Sequence, residues 1–427
     1  MLHKKHHRII LASLITGISL PIMANTNAIP LNQYGAVDVN ATVPTSVQVP
    51  PAPLSFKAPI LNNAATQWQE SVPAQPTMEV KSYILMDAQT GNILASYNAN
   101  KRIPPASLTK LMLLYIVEQQ LHNGTLTLDT KLTVPTVAWA TGGSRMFLKP
   151  KTEVSVKDLI QGVIIASGND AAVTLAVGIA GTQSAFVDMM NITARKLGMT
   201  NTHFSDVMGL PAPDLYTSAR DLSALARHVI NDYPEYYHFF KEKYFTYNGV
   251  KQPNFNKLLF IDKYADGLKT GSTSAAGFSL IASENREGNR RLIAVVIGAN
   301  NSLASAYDNF ALLKYGNQFF TTQEFYKAGQ KVTTNRVYMG ENENIEVGTA
   351  KAVSLTYPKT INQADLKFTI HQNTPYKAPI TKGQELGALN IIYKNKIIKT
   401  VPLVALTADP EGSMWQKMKG KMALWFA

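Results

Sequence analysis

The chain has 427 residues, of which 45% are hydrophobic and 16% are charged, and it contains no cysteine. This length accommodates two or three domains of roughly 100–200 residues each, and the ordinary apolar fraction excludes a wholly disordered protein. The lack of cysteine excludes disulfides and thiolate chemistry, and the eight histidines do not have zinc-enzyme spacing, so we predict no metal and no cofactor. The net charge of +12 leaves nucleic acid, a membrane surface or an acidic polymer as partners.

Residues 1–24 have the pattern of a secretory signal peptide. Lys4, Lys5 and Arg8 form a basic segment, residues 9–23 are mostly apolar, and Ala24 offers a small residue for cleavage. The alternative is a transmembrane anchor, but the apolar stretch is shorter than the ~20 residues that span a bilayer. We therefore expect export, which argues against nucleic acid as a partner.

Residues 25–77 are predicted to be a linker. They contain eight prolines and few charges, and proline at this density opposes both helices and central strands. Trp68 is the tryptophan of this segment. It either docks on a partner or on the main domain, or it is exposed in a loose arm.

An α+β domain is predicted over residues 78–322. Two β-rich runs within residues 83–97 flank a turn at Gly91 and predict a hairpin. Residues 108–121 are apolar on nearly all sides, which is typical of a buried helix. Further helices are predicted over 156–166 and 171–179, and strands over 278–283 and 291–298. This mixture indicates an α+β or αβα layered domain.

The remainder of the chain has a different pattern. Residues 323–410 contain repeated short β-rich runs and no long helical period, so a second, all-β domain is predicted. Residues 411–427 form an amphipathic helix when placed at 100° per residue. Its apolar face carries Met414, Trp415, Met418, Met422, Trp425 and Phe426. Lys417, Lys419 and Lys421 flank that face, a pattern of helices in a membrane interface. The alternative is a helix that docks on its own protein.

A serine and a lysine lie three residues apart at the start of the predicted helix 108–121. Ser107 and Lys110 would share one helix face. A serine hydroxyl is a weak nucleophile that needs a base within hydrogen-bond reach, and lysine serves as that base when burial lowers its pKa. The pair alone is weak, because a helix start with an exposed lysine gives the same pattern.

Two further segments carry polar groups beside apolar runs. Ser167 and Asn169 lie between two helical segments, where they either assist proton transfer and hold a carbonyl, or simply cap a helix. Lys269 and Thr270 precede a predicted strand and offer a cation and a hydroxyl to a carboxylate, while Gly271 permits close approach of a substrate backbone. The alternative for this second segment is a solvated strand edge.

The order S-x-x-K, S-x-N, K-T-G resembles the active-site set of penicillin-binding proteins and serine β-lactamases. From about Met78 onward the chain is most similar to the low-molecular-mass penicillin-binding proteins that are D-alanyl-D-alanine carboxypeptidases, the penicillin-binding protein 5 type. Residues 138–142, 146–150 and 201–204 also carry the resemblance. It implies a β-lactamase/transpeptidase-like catalytic domain, an antiparallel sheet flanked by helices, followed by a smaller all-β domain.

The resemblance also implies roles for individual residues. Ser107 would be acylated, Lys110 would take its proton, and Ser167 would pass a proton toward the leaving D-alanine. Asn169 would steady the substrate, Lys269 and Thr270 would bind it, and the N–H groups of Ser107 and Ser272 would form an oxyanion hole. The implied partners are peptidoglycan pentapeptides, β-lactams and, through helix 411–427, the lipid surface of the inner membrane. The implied location is the periplasm, on the outer face of that membrane.

The chain departs from the family pattern at several positions. Residues 143–145 form a short loop, Ser272 follows K-T-G where some relatives have histidine, and Phe255 stands where an arginine is expected. A second expected arginine is missing around residues 300–305. These changes affect how the substrate carboxylate is held. Two alternative functions are a β-lactamase, for which no E-x-x-L-N motif is found, and a catalytically weak penicillin-binding wall protein.

Overall fold

The structure is a computed structural model that describes residues 68–286 and 290–425. The predicted signal peptide 1–24, residues 25–67 of the predicted linker, and Phe426 lie outside the described residues. The helices are α1 (Lys110–His122), α2 (Thr136–Trp139), α3 (Val156–Ile165), α4 (Asn169–Ala180), α5 (Gln183–Lys196), α6 (Ala219–Asp232), α7 (Leu258–Ile261), α8 (Ser302–Phe319) and α9 (Met414–Leu424). Short 3₁₀ turns are at Gln69–Ser71, Ala106–Thr109, Tyr237–Lys241 and Gln363–Asp365.

The strands fall into two groups along the chain. The first group is β1 (Ser82–Asp87), β2 (Ile93–Tyr97), β3 (Lys131–Thr133), β4 (Glu153–Ser155), β5 (Tyr244–Tyr247), β6 (Val250–Pro253), β7 (Ala265–Thr273), β8 (Gly277–Arg286) and β9 (Arg290–Ala299). The second group is β10 (Phe320–Tyr326), β11 (Lys331–Tyr338), β12 (Asn344–Thr349), β13 (Val353–Pro358), β14 (Lys367–Gln372), β15 (Tyr376–Lys377), β16 (Glu385–Tyr393) and β17 (Lys396–Ala405).

A five-stranded antiparallel sheet of order β2-β1-β9-β8-β7 is the centre of the first domain. Alternate residues of a strand point to opposite faces. On β1, Ile84 and Met86 therefore pack into the core shared with α1, α3, α4 and α6, whereas Tyr83 and Leu85 pack into the core shared with α8. Both faces of the sheet are covered by helices, which gives the predicted αβα layering.

Helix α1 crosses the larger of these two cores. Ten of its residues are buried, which explains why its sequence is apolar on nearly all sides. The chain enters it through the 3₁₀ turn Ala106–Thr109, so the predicted helix over 108–121 begins with a tighter first turn. Ser107 lies in that turn and Lys110 is the first residue of α1.

The second domain is built from β-strands. A six-stranded sheet has the order β14-β16-β17-β12-β11-β15, and β10 pairs with β13. Strand β10 begins at Phe320, so strand structure starts three residues before the predicted boundary at 323. Hydrogen bonds connect the two domains, from Thr322 Oγ1 to Asp87 Oδ2 at 2.5 Å and from Gln89 Nε2 to Ser354 Oγ at 2.9 Å.

Residues 68–77, predicted as the end of the linker, instead pack on both domains. Trp68 is only 1% exposed and its ring contacts Tyr393 of β16, with 5.4 Å between ring centroids. The carbonyl oxygens of Pro73 and Pro76 accept hydrogen bonds from the hydroxyls of Tyr315 and Tyr83. Proline opposes regular structure but leaves its carbonyl free to accept, so a proline-rich segment can still be fixed by tertiary contacts.

No single helix within residues 68–286 and 290–425 has the length and apolarity of a membrane span. Helices α4 and α5 reach that length and composition only as a pair, and the chain bends by 86° between them. Residues 169–176 of α4 are buried inside the domain, as expected for a core helix.

Replacing Trp68 with alanine is expected to lower the free energy of unfolding by about 3–5 kcal/mol, because it leaves a large cavity in the core that the two domains share. Trp139→Ala is the matched control, since Trp139 is 51% exposed and its loss should cost no more than about 0.5 kcal/mol. Urea denaturation followed by circular dichroism measures both. Equal unfolding free energies for the two variants would contradict the buried position of Trp68.

Candidate active site

The side chains of Ser107 and Lys110 are in direct contact at the start of α1. Lys110 Nζ lies 2.8 Å from Ser107 Oγ and donates a second hydrogen bond of 3.1 Å to the carbonyl oxygen of Met208. Lys110 is fully buried, whereas Ser107 is partly exposed. The nucleophile candidate therefore faces solvent while its candidate base lies behind it.

Burial changes the protonation of Lys110. Removing the amine from water disfavours its charged form and lowers the pKa of Lys110 to about 7, although the negative charges of Asp206 and Asp170 oppose this shift. A lysine with this pKa is partly neutral near pH 7. In that form its nitrogen has a lone pair that can accept the proton of Ser107.

The loop that contains Asp206 holds the Lys110 side chain in place. The Asp206 carboxylate accepts hydrogen bonds from the N–H groups of Met208 and Gly209 at 2.5 Å and of Leu210 at 3.0 Å. Gly209 has a φ of +89°, and a Cβ there would lie 1.8 Å from the carbonyl oxygen of Ala106. Only glycine fits at this position, because the loop packs directly against the turn that presents Ser107.

Ser167 and Lys269, from the other two predicted segments, also meet in the structure. Lys269 Nζ lies 2.9 Å from Ser167 Oγ and 3.0 Å from the carbonyl oxygen of Thr270. Ser167 has a φ of +53°, an uncommon conformation for a residue with a side chain and typical of functional sites. Burial lowers the pKa of Lys269 well below its usual value, and the charge of Lys110 lowers it further.

Asn169 and Asp170 fix the loop that borders the site. Asn169 donates from Nδ2 to the carbonyl oxygen of Gly142 at 2.7 Å, and its N–H donates to the carbonyl oxygen of Ser144 at 2.7 Å. The Asp170 carboxylate accepts hydrogen bonds of 3.0 Å from the N–H groups of Met146 and Leu148. In this structure the Asn169 amide thus holds a loop rather than lining the cavity.

Strand β7 packs tightly against the turn that carries Ser107. A Cβ at Gly271 would lie 3.0 Å from the nitrogen of Leu108 and 3.2 Å from the carbonyl oxygen of Pro105. Gly271 therefore lets strand β7 pack closely on the protein's own backbone, and it also lines the cavity where a substrate backbone is predicted to approach.

A cavity of about 350 Å³ opens beside the two serines. It is lined by Ser107, Ser144, Ser167, Phe255, Lys257, Thr270, Gly271, Ser272, Phe278, Ser279, Leu280, Ser302 and Ser305. Of the predicted site residues, Ser107, Ser167 and 270–272 line this cavity, while Lys110 and Lys269 lie behind the serines. Phe255, Ser302 and Ser305, from the two segments that lack an expected arginine, also line it.

Sequence reasoning missed Asp206, Met208 and Asp170 as parts of the site. Asp170 directly follows the S-x-N motif, but Asp206 is 96 residues beyond Lys110 and only the fold brings them together. No group of three or more histidine, aspartate or glutamate side chains in the described part of the chain could hold a metal ion.

Two family models match the chain in succession. The model described as D-alanyl-D-alanine carboxypeptidase matches residues 69–301, and the model described as the C-terminal domain of penicillin-binding protein 5 matches residues 320–411. D-alanyl-D-alanine carboxypeptidase DacD of Escherichia coli strain K12 is 43% identical over 355 residues, which cover 81% of this chain and 91% of that protein.

Solved structures agree with the family models. Penicillin binding protein 5 from Haemophilus influenzae is 37% identical, with a TM-score of 0.76 over 79% of this chain and 100% of that one. Penicillin-Binding Protein D2 from Listeria monocytogenes, solved in its ampicillin-bound form, is 30% identical, with a TM-score of 0.52 over 57% of this chain and 100% of that one. The predicted catalytic fold with a separate all-β domain is confirmed, and the chain belongs to the D-alanyl-D-alanine carboxypeptidase family of penicillin-binding proteins.

Proposed function

We propose that Ser107, Lys110 and Ser167 carry out the D-alanyl-D-alanine carboxypeptidase reaction of this chain on peptidoglycan pentapeptide stems. The observation that supports these roles best is the 2.8 Å separation between Ser107 Oγ and the fully buried Nζ of Lys110. Serine catalysis requires a nucleophile and a base at hydrogen-bond distance. Ser107 and Lys110 meet this requirement, and the pKa of Lys110 is lowered to about 7.

In the acylation step, Ser107 Oγ attacks the carbonyl carbon of the D-Ala–D-Ala amide while Lys110 Nζ takes its proton. The N–H groups of Ser107 and Ser272 donate to the oxyanion that forms on the carbonyl oxygen. The amide C–N bond then breaks, and the proton held by Lys110 passes through Ser167 Oγ to the leaving nitrogen, which returns Lys110 to its neutral form. Lys269 holds Ser167 Oγ at 2.9 Å. D-alanine departs and an ester on Ser107 remains.

In the deacylation step, water attacks the ester carbonyl and gives its proton to Lys110. The C–O bond to Ser107 breaks, the proton returns to Ser107, and a shortened peptide leaves. A β-lactam follows the same first step, because its strained amide presents a carbonyl to Ser107, but opening the ring releases no leaving group. The ampicillin-bound relative supports β-lactams as ligands of this site.

Thr270, Gly271 and Ser272 bind the substrate along β7. These residues line the cavity, and Lys269 precedes them on the same strand. A substrate lying beside the strand would place its terminal carboxylate near the hydroxyls of Thr270 and Ser272. Asn169 contributes indirectly, because its hydrogen bonds fix the loop that contains Ser144.

The C-terminal helix α9 attaches the protein to a membrane surface. Its exposed side chains include Met414 at 89%, Trp415 at 61%, Met422 at 59% and Trp425 at 88%. The opposite side of the helix is fixed to the β domain, because a Cβ at Gly420 would lie 2.5 Å from the nitrogen of Met339 and Gln416 donates to the carbonyl oxygen of Glu341. The helix therefore docks on its own protein and still presents an apolar face to solvent.

This arrangement favours peripheral attachment to the outer face of the inner membrane. Lys419 and Lys421 lie on the same helix as the exposed tryptophans and favour anionic lipid. Signal-peptide cleavage after residue 24 would deliver the protein to the periplasm, where peptidoglycan is found. This location agrees with the wall substrate proposed for the site.

Ser107→Ala is expected to abolish both D-alanine release from a pentapeptide and labelling by a fluorescent penicillin, because no other group forms the acyl ester. Protein without residues 1–24 is incubated with each reagent, beside Ser144→Ala, which removes a hydroxyl from the same cavity and should keep the label. Release near the wild-type rate in Ser107→Ala would contradict the assignment. Rapid nitrocefin turnover by the wild type would instead indicate a β-lactamase.

The rate constant for penicillin acylation is expected to rise about tenfold per pH unit below pH 7 and to level off above it, because only neutral Lys110 accepts the Ser107 proton and its pKa is lowered to about 7. Stopped-flow fluorescence between pH 5.5 and 8.5 measures this constant. Lys110→Arg, which stays protonated over the whole range, should acylate slowly at every pH. A flat or falling wild-type profile would contradict Lys110 as the base.

Replacing both Trp415 and Trp425 with serine is expected to weaken binding to vesicles of phosphatidylethanolamine and phosphatidylglycerol about tenfold or more, because two large apolar side chains leave the interface. Vesicle sedimentation measures the bound fraction, and deletion of 411–427 should abolish binding. Trp139→Ser is the matched control, since it removes an exposed tryptophan elsewhere. Persistent membrane association of the deletion variant would refute the proposal.

A further inference from the structure

The cavity beside Ser107 has many hydroxyl groups but is nearly free of charged side chains. Serine and threonine hydroxyls, two phenylalanines and a leucine form most of its lining. Among the described lysines and arginines, Lys257 is the one whose side chain lines it. A peptide that ends in a carboxylate brings a negative charge into this cavity and loses part of its hydration there. The cavity therefore needs a positive group that faces the substrate.

The two catalytic lysines are poorly suited to supply that charge. Both are fully buried behind Ser107 and Ser167, with their amines already in hydrogen bonds to those hydroxyls. Burial lowers the pKa of both amines, to about 7 for Lys110 and well below its usual value for Lys269. A third cation that is exposed to solvent can bind an anion without disturbing the proton transfers of the serines.

Lys257 is held at the cavity by a turn of alternating buried and exposed residues. Asn254 and Asn256 are buried, whereas Phe255 and Lys257 are exposed. Asn256 donates from Nδ2 to the carbonyl oxygen of Gly267 on β7 at 2.9 Å, and its Oδ1 accepts from the N–H of Leu258 at 3.1 Å. The two asparagines also bond to each other, since Asn256 N–H donates to Asn254 Oδ1 at 2.9 Å.

This turn is connected to both elements that carry catalytic groups. Gly267 lies on the strand that carries Lys269, and the N–H of Phe255 donates at 3.3 Å to the carbonyl oxygen of Ile165, two residues before Ser167. Lys257 itself has no hydrogen bond or ion pair from its side chain to another residue within 68–286 and 290–425. The turn thus fixes the backbone of Lys257 beside the cavity, and its ammonium can bind a ligand there.

The opposite wall of the cavity is also suited to an anion. Ser302, the first residue of the 18-residue helix α8, lines it, so the positive end of the helix dipole is at the cavity. Ser305 lines it as well, and its hydroxyl is buried without a hydrogen-bond partner among the described residues. A buried hydroxyl without a partner is uncommon, and a bound carboxylate would accept its hydrogen bond.

We propose that Lys257 is the cation of this cavity that binds the C-terminal carboxylate of the peptide substrate. This inference rests on the proposed function, because it assumes that the peptide is cleaved at Ser107. The ammonium of Lys257 and the hydroxyls of Thr270 and Ser305 then meet the carboxylate from different sides of the cavity. Phe255 and Phe278 contact the apolar atoms of the terminal residues.

The test uses two synthetic acyl-D-Ala-D-Ala peptides with uncharged side chains, one ending in a carboxylate and one in a carboxamide. Lys257→Ala is expected to lower kcat/KM for the carboxylate peptide about tenfold, mostly through KM, and to leave the carboxamide peptide unchanged. Lys257→Arg should retain the preference for the carboxylate. Lys263→Ala is the matched control, an exposed lysine six residues further on that does not line the cavity.

Three outcomes separate the possibilities. An equal loss for both peptides in Lys257→Ala would show a structural role and overturn the inference. Unchanged kcat/KM for both peptides would also overturn it, and the proposed function would stand because the wild type still releases the terminal residue. Failure of the wild type to cleave the carboxylate peptide at all would overturn the proposed function itself.

Discussion

The burial of two lysine amines behind two serine hydroxyls is the constraint on which the rest of the site depends. An amine that leaves water loses hydration, and the loss is greater for the charged form. For Lys110 this loss is what produces a base, because it lowers the pKa to about 7. The negative charges of Asp206 and Asp170 limit this lowering of the pKa. At neutral pH the amine is therefore partly neutral and can still take up a proton.

Keeping these amines buried requires that backbone segments approach each other closely. Gly209 lies against the carbonyl of Ala106, and Gly271 lies against the nitrogen of Leu108. The contact at Gly209 leaves no room for a Cβ and the contact at Gly271 leaves little, so the loop at 206–210 and strand β7 enclose the turn of Ser107 from two sides. Their position excludes water from Lys110, whereas Ser107 remains at the cavity.

The sequence predicted the elements whose signal is local and missed those that depend on long-range contacts. The hairpin at 83–97 and the apolar helix α1 follow from local patterns, and both are present in the structure. Residues of the three motifs also contact one another there, Lys110 with Ser107 and Lys269 with Ser167. The role of Asp206 depends on packing between segments far apart in the chain. The sequence alone does not show whether Trp68 is docked or exposed, because its partner Tyr393 belongs to the second domain, far along the chain.

The structure separates residues that must be kept for the chemistry from residues that set specificity. Ser107, Lys110, Ser167 and Lys269 contact one another, so a change in one alters the pKa or hydrogen bonding of the next. The turn at 254–257 has the opposite property. Its buried asparagines bond to backbone groups and fix its shape, while its exposed positions carry Phe255 and Lys257. Side chains at these exposed positions can therefore change the substrate preference of the cavity without displacing the strand or the serines.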